Sequence, residues 1–237
     1  MRDLYVVGDV HGKWRELVYK AVESYKIVNS DILVLGDFGV GFEKPKYLED
    51  QYKRITKRLE KNDLNIHVLR GNHDDPSYFS EGKPDFPRLH FLEDNKVHEI
   101  CERRIFIVGG ANSTDITERT KDRDWWDGED IIRISTNEMP RRVDIIATHS
   151  APLSFDPVVH RFENTPPEQY EKILEERKYL DEILNYVRTD LWYYGHYHHS
   201  YSGVYNGTMY RCLSELEFLL VPEPKTDNPQ GEIKDES

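Results

Sequence analysis

Apolar residues gather in short continuous runs along the first third of the chain, and charged segments separate these runs. The runs at 4–10, 31–35 and 66–69 lack polar alternation, which is typical of strands buried on both faces. Apolar positions at helical spacing predict a helix over 14–25, and a charged segment predicts another over 45–61, with Pro45 near its start. Strands that alternate with helices predict right-handed crossovers and a largely parallel sheet.

The pattern changes near residue 88. Short runs at 88–92, 96–100 and 104–108 predict strands that pair sequentially in a meander or mixed sheet. Further strands are predicted at 143–147 and 191–194 on either side of a helix over 167–187. Asn206 and Gly207 predict a tight hairpin between strands at 201–205 and 208–213, and a last strand follows at 217–221.

The chain has 237 residues and contains no repeat and no Gly/Ser linker that would divide it. We therefore expect one domain over residues 1–221. The segment 222–237 is rich in proline and polar residues and is expected to be a disordered tail. The segment 109–137 is too polar for core and too aromatic for a linker; Trp125 and Trp126 within it suit either burial or stacking on a nucleobase.

Charge and cysteine usage restrict the function classes. The formal net charge of −12 disfavours long nucleic acids and anionic membranes as partners. No apolar run approaches the roughly 20 residues that span a bilayer, and no signal-peptide pattern begins the sequence. Cys101 and Cys212 have no metal-binding or disulfide spacing. A cytoplasmic protein without membrane contact is expected, and its oligomeric state stays open.

Polar residues with metal-binding chemistry follow five of the predicted runs. They are Asp9, His11, Asp37, Asn72, His73, His149, His196 and His198. Any one of these histidines could be a hydrogen-bonded core residue. Together, two carboxylates, several imidazoles and an amide suit two divalent ions bridged by a carboxylate, an arrangement that clamps both oxygens of a phosphoryl displacement. Arg70 lacks such a context and is expected to be a structural ion-pair partner.

The order of these blocks is similar to that in the calcineurin-like metallophosphoesterases. The blocks are Asp9-Val10-His11, Gly36-Asp37, Gly71-Asn72-His73-Asp74, His149 and Gly195-His196-Tyr197-His198. The resemblance implies an α/β fold, namely a four-layer α/β/β/α sandwich of two mixed β-sheets flanked by helices. The segment from Gly109 to Trp126 resembles one in bacterial and phage members of unassigned substrate.

Roles carried over from the resemblance assign two ions. Asp9, His11, Asp37 and His198 would hold the first, and Asp37, Asn72, His149 and His196 the second. A hydroxide between the ions would attack phosphorus, while His73 would act as general acid and Asp74 would orient it or cap the next turn. Manganese is the first expectation for both ions, with iron, zinc, nickel and magnesium left open.

One departure from the family pattern bears on substrate. Protein Ser/Thr phosphatases of this family carry a further Asp and Arg after Gly-Asp, whereas here Phe38-Gly39-Val40-Gly41-Phe42 follows. Arg119 and Arg123 are therefore the candidate substrate-binding residues. The expected activity is hydrolysis of phosphate mono- or diesters, with a small nucleotide or phosphometabolite as substrate. A phosphoprotein phosphatase and a non-catalytic protein-binding scaffold are the alternatives.

Overall fold

The computed structural model describes residues 2–80, 86–155 and 165–223. Within these residues three α-helices are formed: α1 (Trp14–Tyr19), α2 (Pro45–Asn62) and α3 (Pro167–Tyr186). The π-helical turn Lys20–Ser24 continues α1, so that the helix predicted over 14–25 is confirmed in extent. The strands are β1 (Asp3–Val7), β2 (Ser30–Val34), β3 (Leu64–Val68), β4 (Leu89–Phe91), β5 (Lys96–Ile100), β6 (Arg103–Val108), β7 (Ile145–Thr148), β8 (Leu191–Tyr194), β9 (Tyr201–Tyr205), β10 (Thr208–Cys212) and β11 (Phe218–Leu220).

The first sheet has the strand order β11-β1-β2-β3-β4. Strands β1 to β4 are parallel, which confirms the parallel sheet predicted from the alternating strands and helices. Strand β11 returns from the far end of the chain and pairs antiparallel with β1. The carboxyl ends of β1, β2 and β3 therefore meet at one edge, which is where ligands bind in such sheets.

The second sheet has the order β5-β6-β7-β8-β10-β9. Strands β6, β7, β8 and β10 are parallel, whereas the hairpins β5–β6 and β9–β10 are antiparallel. The predicted meander of three strands is wrong at its first member, because β4 pairs parallel with β3 in the first sheet. The chain crosses between the sheets after β4, where the buried side chain of Arg70 pairs with Asp94 at 2.8 Å. The structural role expected for Arg70 is thereby confirmed.

Three apolar layers hold the sheets and helices together. Leu33 and Leu35 of the first sheet pack with Ile105, Ile145 and Ala147 of the second, so that the two sheets face each other. Helices α1 and α2 cover the outer face of the first sheet, and α3 covers that of the second. Helix, sheet, sheet and helix thus form the predicted α/β/β/α sandwich, and burial of these apolar surfaces is the main stabilising contribution.

Two predictions concern the ends and surfaces of the chain. Residues 224–237, which make up most of the predicted tail, lie outside the described residues. Among the described helices, none is long and apolar enough to cross a membrane. Strand β11 ends at Leu220, and Val221 is still buried against the fold.

Candidate active site

Loops at the carboxyl ends of parallel strands in both sheets meet above the interface between the sheets. Asp9 and His11 follow β1, Asp37 follows β2, Asn72 and His73 follow β3, His149 follows β7, and His196 and His198 follow β8. Because all of these strands run in the same direction within their sheets, residues far apart in sequence reach one place.

The side chains form two groups that share one carboxylate. Ligand atoms of Asp9, His11, Asp37 and His198 lie within 4.8 Å of one another. Within the described residues, Asp37, His149 and His196 form a second such group. Asp37 has one oxygen, Oδ1, 3.2 Å from His149 Nε2 and the other, Oδ2, 3.9 Å from His11 Nε2. The geometry therefore presents two adjacent groups of candidate metal ligands with Asp37 between them.

Asn72 joins the second group through its amide oxygen. Asn72 Oδ1 lies 3.0 Å from His149 Nε2. On the other side of the His149 ring, Nδ1 lies 2.7 Å from the carbonyl oxygen of Leu35 and donates its proton there. In the neutral ring this hydrogen bond fixes the tautomer and directs the Nε2 lone pair at the shared space, as in histidines that ligate metals.

Several of these loops hold non-glycine residues in the left-handed backbone region. The φ angles are +47° at His11, +49° at Asp37, +68° at His196 and +54° at His198. Such conformations cost free energy for residues with a Cβ and concentrate at functional sites. The fold thus maintains local strain at four of the predicted ligands, which turns their side chains toward one another.

Two glycines allow the closest approaches between the loops. A Cβ at Gly71 would lie closer than 3.0 Å to the backbone nitrogen of Asp37 and 2.9 Å from its Cα. A Cβ at Gly195 would press on Asp9 Oδ1 and lie 2.9 Å from the Leu35 carbonyl oxygen. Close packing therefore explains glycine at both positions. A side chain at Gly71 would displace the carboxylate of Asp37, and one at Gly195 would displace that of Asp9.

The donor set fits divalent cations. Asp9 Oδ2 is buried without a hydrogen-bond partner among the described residues, although His198 Nε2 lies 2.8 Å from it. The Nε2 atoms of His11 and His198 face each other at 2.9 Å. A buried carboxylate oxygen that faces two imidazole nitrogens in close approach to each other is an arrangement that a bound cation stabilises. Oxygen and nitrogen donors without thiolates are the set that Mn²⁺ and related ions accept.

The electrostatics of the buried groups favour positive charge at this place. Burial raises the pKa of Asp37, but the charges of His149, His73 and His11 outweigh it and hold the pKa well below its usual range. Burial lowers the pKa of His149, but Asp37 and Asp9 outweigh it and raise the pKa to about 10. For His196, burial and the neighbouring His149 hold the pKa well below its ordinary value. The ionised carboxylates thus stabilise a cation nearby.

His73 lies at the open side of the cluster. Its Nε2 is 3.9 Å from Asp37 Oδ2, and its backbone N–H donates to Asp37 Oδ1 at 2.8 Å. Burial lowers the pKa of His73 to about 4, with Arg119 and His11 adding to the shift against the opposing charge of Asp37. On the other ring edge, the Arg119 guanidinium donates to Nδ1. Of the two ring nitrogens of His73, it is thus Nε2 that faces the cluster.

Arg119 and Arg123 differ sharply in their surroundings. The Arg119 guanidinium is held by both oxygens of Asp115, at 2.7 Å each. Arg123, in contrast, is exposed. Trp126 is buried and parallel to the ring of Phe42, with 6.2 Å between ring centroids, and Phe42 meets the His73 ring edge-on. The structure therefore brings Arg119 to the cluster and adds an aromatic flank beside it.

Asp74 is fully buried and turned toward backbone rather than toward the His73 ring. Its oxygens accept hydrogen bonds from the N–H groups of Phe38, Gly39, Val40 and Gly71 at 2.7–3.2 Å. Burial and the charge of Asp37 raise the pKa of Asp74 to about 6. These contacts fix the loop after β2 against the loop after β3, and so maintain the position of Asp37.

Three acidic or hydroxyl residues near the cluster have no counterpart in the sequence prediction. Ser113 contacts the Asn72 amide, Glu129 binds Ser113, and Glu176 on α3 accepts both N–H groups of Asn112. All three acceptors are buried. No spacing rule relates these residues to the ligand blocks. The sequence signal that comes nearest is the presence of Glu129 in a segment that is too polar for core and too aromatic for a linker.

Comparisons with known proteins agree with this geometry. No curated protein matches the chain in sequence. Among solved structures, the phosphopantetheinyl hydrolase of Mycobacterium tuberculosis is 12% identical with a TM-score of 0.50, and the match covers 96% of this chain and 98% of that one. At these values the similarity concerns the fold alone.

A Staphylococcus aureus protein, provisionally assigned as a 5′-nucleotidase, is 18% identical with a TM-score of 0.46. The match covers 90% of this chain, which spans about half of that protein's length (48%). The profile of a family described as calcineurin-like phosphoesterase matches residues 3–200. This range includes every residue of the cluster and both sheets up to β8. The chain belongs to the calcineurin-like phosphoesterases.

Proposed function

We propose that the protein binds two divalent ions and hydrolyses phosphate mono- or diesters of small molecules. The observation that carries this proposal is the position of Asp37 in both groups of ligand atoms. Asp9, His11, Asp37 and His198 would hold the first ion, and Asp37, Asn72, His149 and His196 the second. Manganese suits this oxygen and nitrogen set, and iron, zinc, nickel and magnesium are the other candidates.

When bound, such a metal pair activates water and neutralises the charge of a phosphoryl group in displacement. The residues of the chain perform the remaining tasks. His73 donates a hydrogen bond from its Nε2–H toward the leaving oxygen, since this nitrogen faces the cluster while Nδ1 accepts from Arg119. Arg119, fixed by Asp115, binds a phosphate oxygen beside His73. Asp74 contributes by holding the loop that carries Asp37.

A small nucleotide or phosphometabolite is the substrate class that best suits the surroundings. The net charge of −12 repels long polyanions outside the metal site. Phe42 lies edge-on to His73 and offers an aromatic surface for a base or another planar group. The loop from Phe38 to Phe42 has no cation for a phosphoprotein, so that alternative has no supporting contact. The cytoplasmic location expected from cysteine usage stays a prediction, and the apolar layer between the two sheets supports one domain over residues 1–221.

Hydrolysis of para-nitrophenyl phosphate and of its bis ester tests the proposal. Protein stripped of metal is loaded with Mn²⁺, Ni²⁺, Zn²⁺ or Mg²⁺, and bound metal per chain is measured alongside the rate. We expect two ions per chain and metal-dependent turnover of at least one ester. No turnover with any metal, together with a stoichiometry well below two, would overturn the proposal.

Two variants separate metal binding from chemistry. His73→Ala is expected to lose rate by about 10²–10³-fold, the usual contribution of a hydrogen-bond donor to a developing oxyanion, while it retains both ions. Asp37→Ala is expected to lose both ions, because each site loses a ligand. His98→Ala is the matched control, since His98 lies on β5 and contacts the Glu93 carbonyl away from the cluster. Metal loss in His73→Ala with retention in Asp37→Ala would reverse the assigned roles.

A further inference from the structure

A chain of buried hydrogen bonds leads from Asn72 into the segment 109–130. Asn72 Nδ2 lies 3.0 Å from Ser113 Oγ. Ser113 Oγ lies 2.6 Å from Glu129 Oε2, and the backbone N–H of Ser113 donates to Glu129 Oε1 at 2.9 Å. The exposed fractions of Asn72, Ser113 and Glu129 are 2%, 0% and 5%. Water therefore does not compete for these contacts, and each partner depends on the next.

The donors and acceptors give this chain a direction. An ionised Glu129 carboxylate can only accept, so the Ser113 hydroxyl proton points to it. The Ser113 oxygen then accepts from the Asn72 amide N–H₂. Because an amide has its oxygen opposite its nitrogen, Asn72 Oδ1 is turned toward His149 and the proposed second ion. Burial raises the pKa of Glu129 to about 7, so the carboxylate is ionised at pH 8 and above.

Glu129 itself is anchored to the loop that carries Asn72. The Arg70 guanidinium donates to the carbonyl oxygens of Gly128 and Glu129 at 2.8 and 2.9 Å, and the N–H of Ala111 donates to Glu129 as well. Arg70 is two residues before Asn72 and is also paired with Asp94. Glu129 is therefore held by Arg70, which lies in the same loop after β3 as Asn72.

We propose that Ser113 and Glu129 are positioning residues for the second metal site, which hold the Asn72 amide with its oxygen toward the ion. The inference rests on the proposed function, because it assigns Asn72 as a ligand. Without these hydrogen bonds, the Asn72 amide could rotate and present its N–H₂ group, which cannot bind a cation. The segment 109–130 thus contributes to metal binding through residues that touch no ion.

Metal affinity measured by calorimetry at pH 8, with Mn²⁺ as the probe, tests this role. Ser113→Ala removes the acceptor for the amide, and we expect one of the two Mn²⁺ sites to weaken by about 10–100-fold while the other is unchanged. Glu129→Gln replaces one of the two carboxylate oxygens that accept from Ser113 with an N–H₂ group, so that the Ser113 backbone N–H and hydroxyl can no longer both donate to residue 129. This change is expected to weaken the same site. Ser113→Thr retains the hydroxyl and is expected to restore the affinity.

The chain offers a matched control outside this segment. Ser135 and Glu138 form a similar but exposed pair, in which the Ser135 hydroxyl donates to Glu138 Oε2 at 2.7 Å. Ser135→Ala is expected to retain both Mn²⁺ affinities. In an Asn72→Ala background, Ser113→Ala is expected to have no further effect on Mn²⁺ binding, since the group that it orients is absent.

The outcomes distinguish this inference from the proposed function. If the wild-type protein binds two Mn²⁺ ions and Ser113→Ala and Glu129→Gln bind both with wild-type affinity, the positioning role is refuted while the metal site stands. Equal weakening of both sites, or an effect that adds fully to that of Asn72→Ala, refutes it as well. If the wild-type protein binds no Mn²⁺, the proposed function itself fails.

Discussion

Adding a single methyl group at Gly71 or Gly195 gives the sharpest test of the site's construction. Neither glycine has a positive φ, so alanine meets steric contact alone. At Gly71 the new Cβ would lie 2.9 Å from Asp37 Cα and closer still to its nitrogen and Oδ1, whereas ordinary contact begins at 3.4 Å. The methyl group and Asp37 Cα must therefore move apart by about 0.5 Å to reach 3.4 Å. This shift is more than twice the ±0.2 Å tolerance of a metal–ligand distance.

The two variants are expected to differ in what they lose. Gly71→Ala displaces Asp37, which belongs to both groups of ligand atoms, and both ions should be lost. Gly195→Ala presses on Asp9, which belongs to one group, and the first ion should be lost while the second remains. Overpacking of this kind costs about 1–3 kcal/mol. For a chain of this size, that free energy lowers Tm by roughly 2–12 °C.

The assay is metal stoichiometry together with Tm of the metal-free protein. Gly207→Ala is the matched control, because Gly207 lies in the β9–β10 hairpin turn with nothing within 4 Å of its Cβ position. Its φ of +88° makes alanine strained, so Tm should fall while both ions are retained. Retention of both ions at wild-type affinity by Gly71→Ala would refute the reasoning, since the close approach would then have no consequence for Asp37.

Three further perturbations test the surroundings of the site. Arg119→Ala is expected to raise the inhibition constant of inorganic phosphate by about 10–100-fold, the value of a charge-assisted hydrogen bond, whereas exposed Arg123→Ala should change it little; equal effects would contradict the assignment. Burial raises the pKa of Asp31, but hydrogen bonds, the His67 contact foremost, outweigh it and hold the pKa below its usual range. This stabilisation is present above about pH 4 and is lost as the pH falls. Asp31→Asn should therefore lower the urea midpoint at pH 7 more than at pH 3, and an equal loss at both would contradict it. Leu33→Ala, between the sheets, should cost about 2–5 kcal/mol in urea unfolding, and a loss below 1 kcal/mol would contradict the buried interface.

The convergence of the ligand blocks could be predicted because it follows from topology. Residues after parallel strands meet at one edge, so Asp9 and Asp37 are brought together by any right-handed crossover between β1 and β2. The sheet that receives β4 could not be predicted in this way. Leu89 and Ile105 look alike in an apolar run, and only packing on one or the other face distinguishes their sheets.

The polar contacts around the ligands could not be predicted from the sequence for a different reason. Ser113 and Glu129 are sixteen residues apart in a segment without helical or strand periodicity, so no spacing rule relates them. The contact between Arg119 and His73 likewise depends on how the loop folds back. Sequence reasoning named Arg119 and Arg123 together, by charge and loop position alone, and had no basis to prefer one, because their surroundings differ only in three dimensions.

The departure in the second sequence block now has a physical explanation. The N–H groups of the loop from Phe38 to Val40 are bound to the Asp74 carboxylate, so this loop positions Asp37 through its backbone and offers no cation to substrate. The guanidinium beside His73 comes instead from Arg119, in the segment that also supplies Ser113 and Glu129. In the proposed function and the inference that rests on it, substrate binding and the orientation of a metal ligand therefore depend on one segment. A substitution in this segment that changes substrate preference must therefore preserve the contacts of Ser113 with Asn72 and Glu129, if the proposed second metal site is to remain intact.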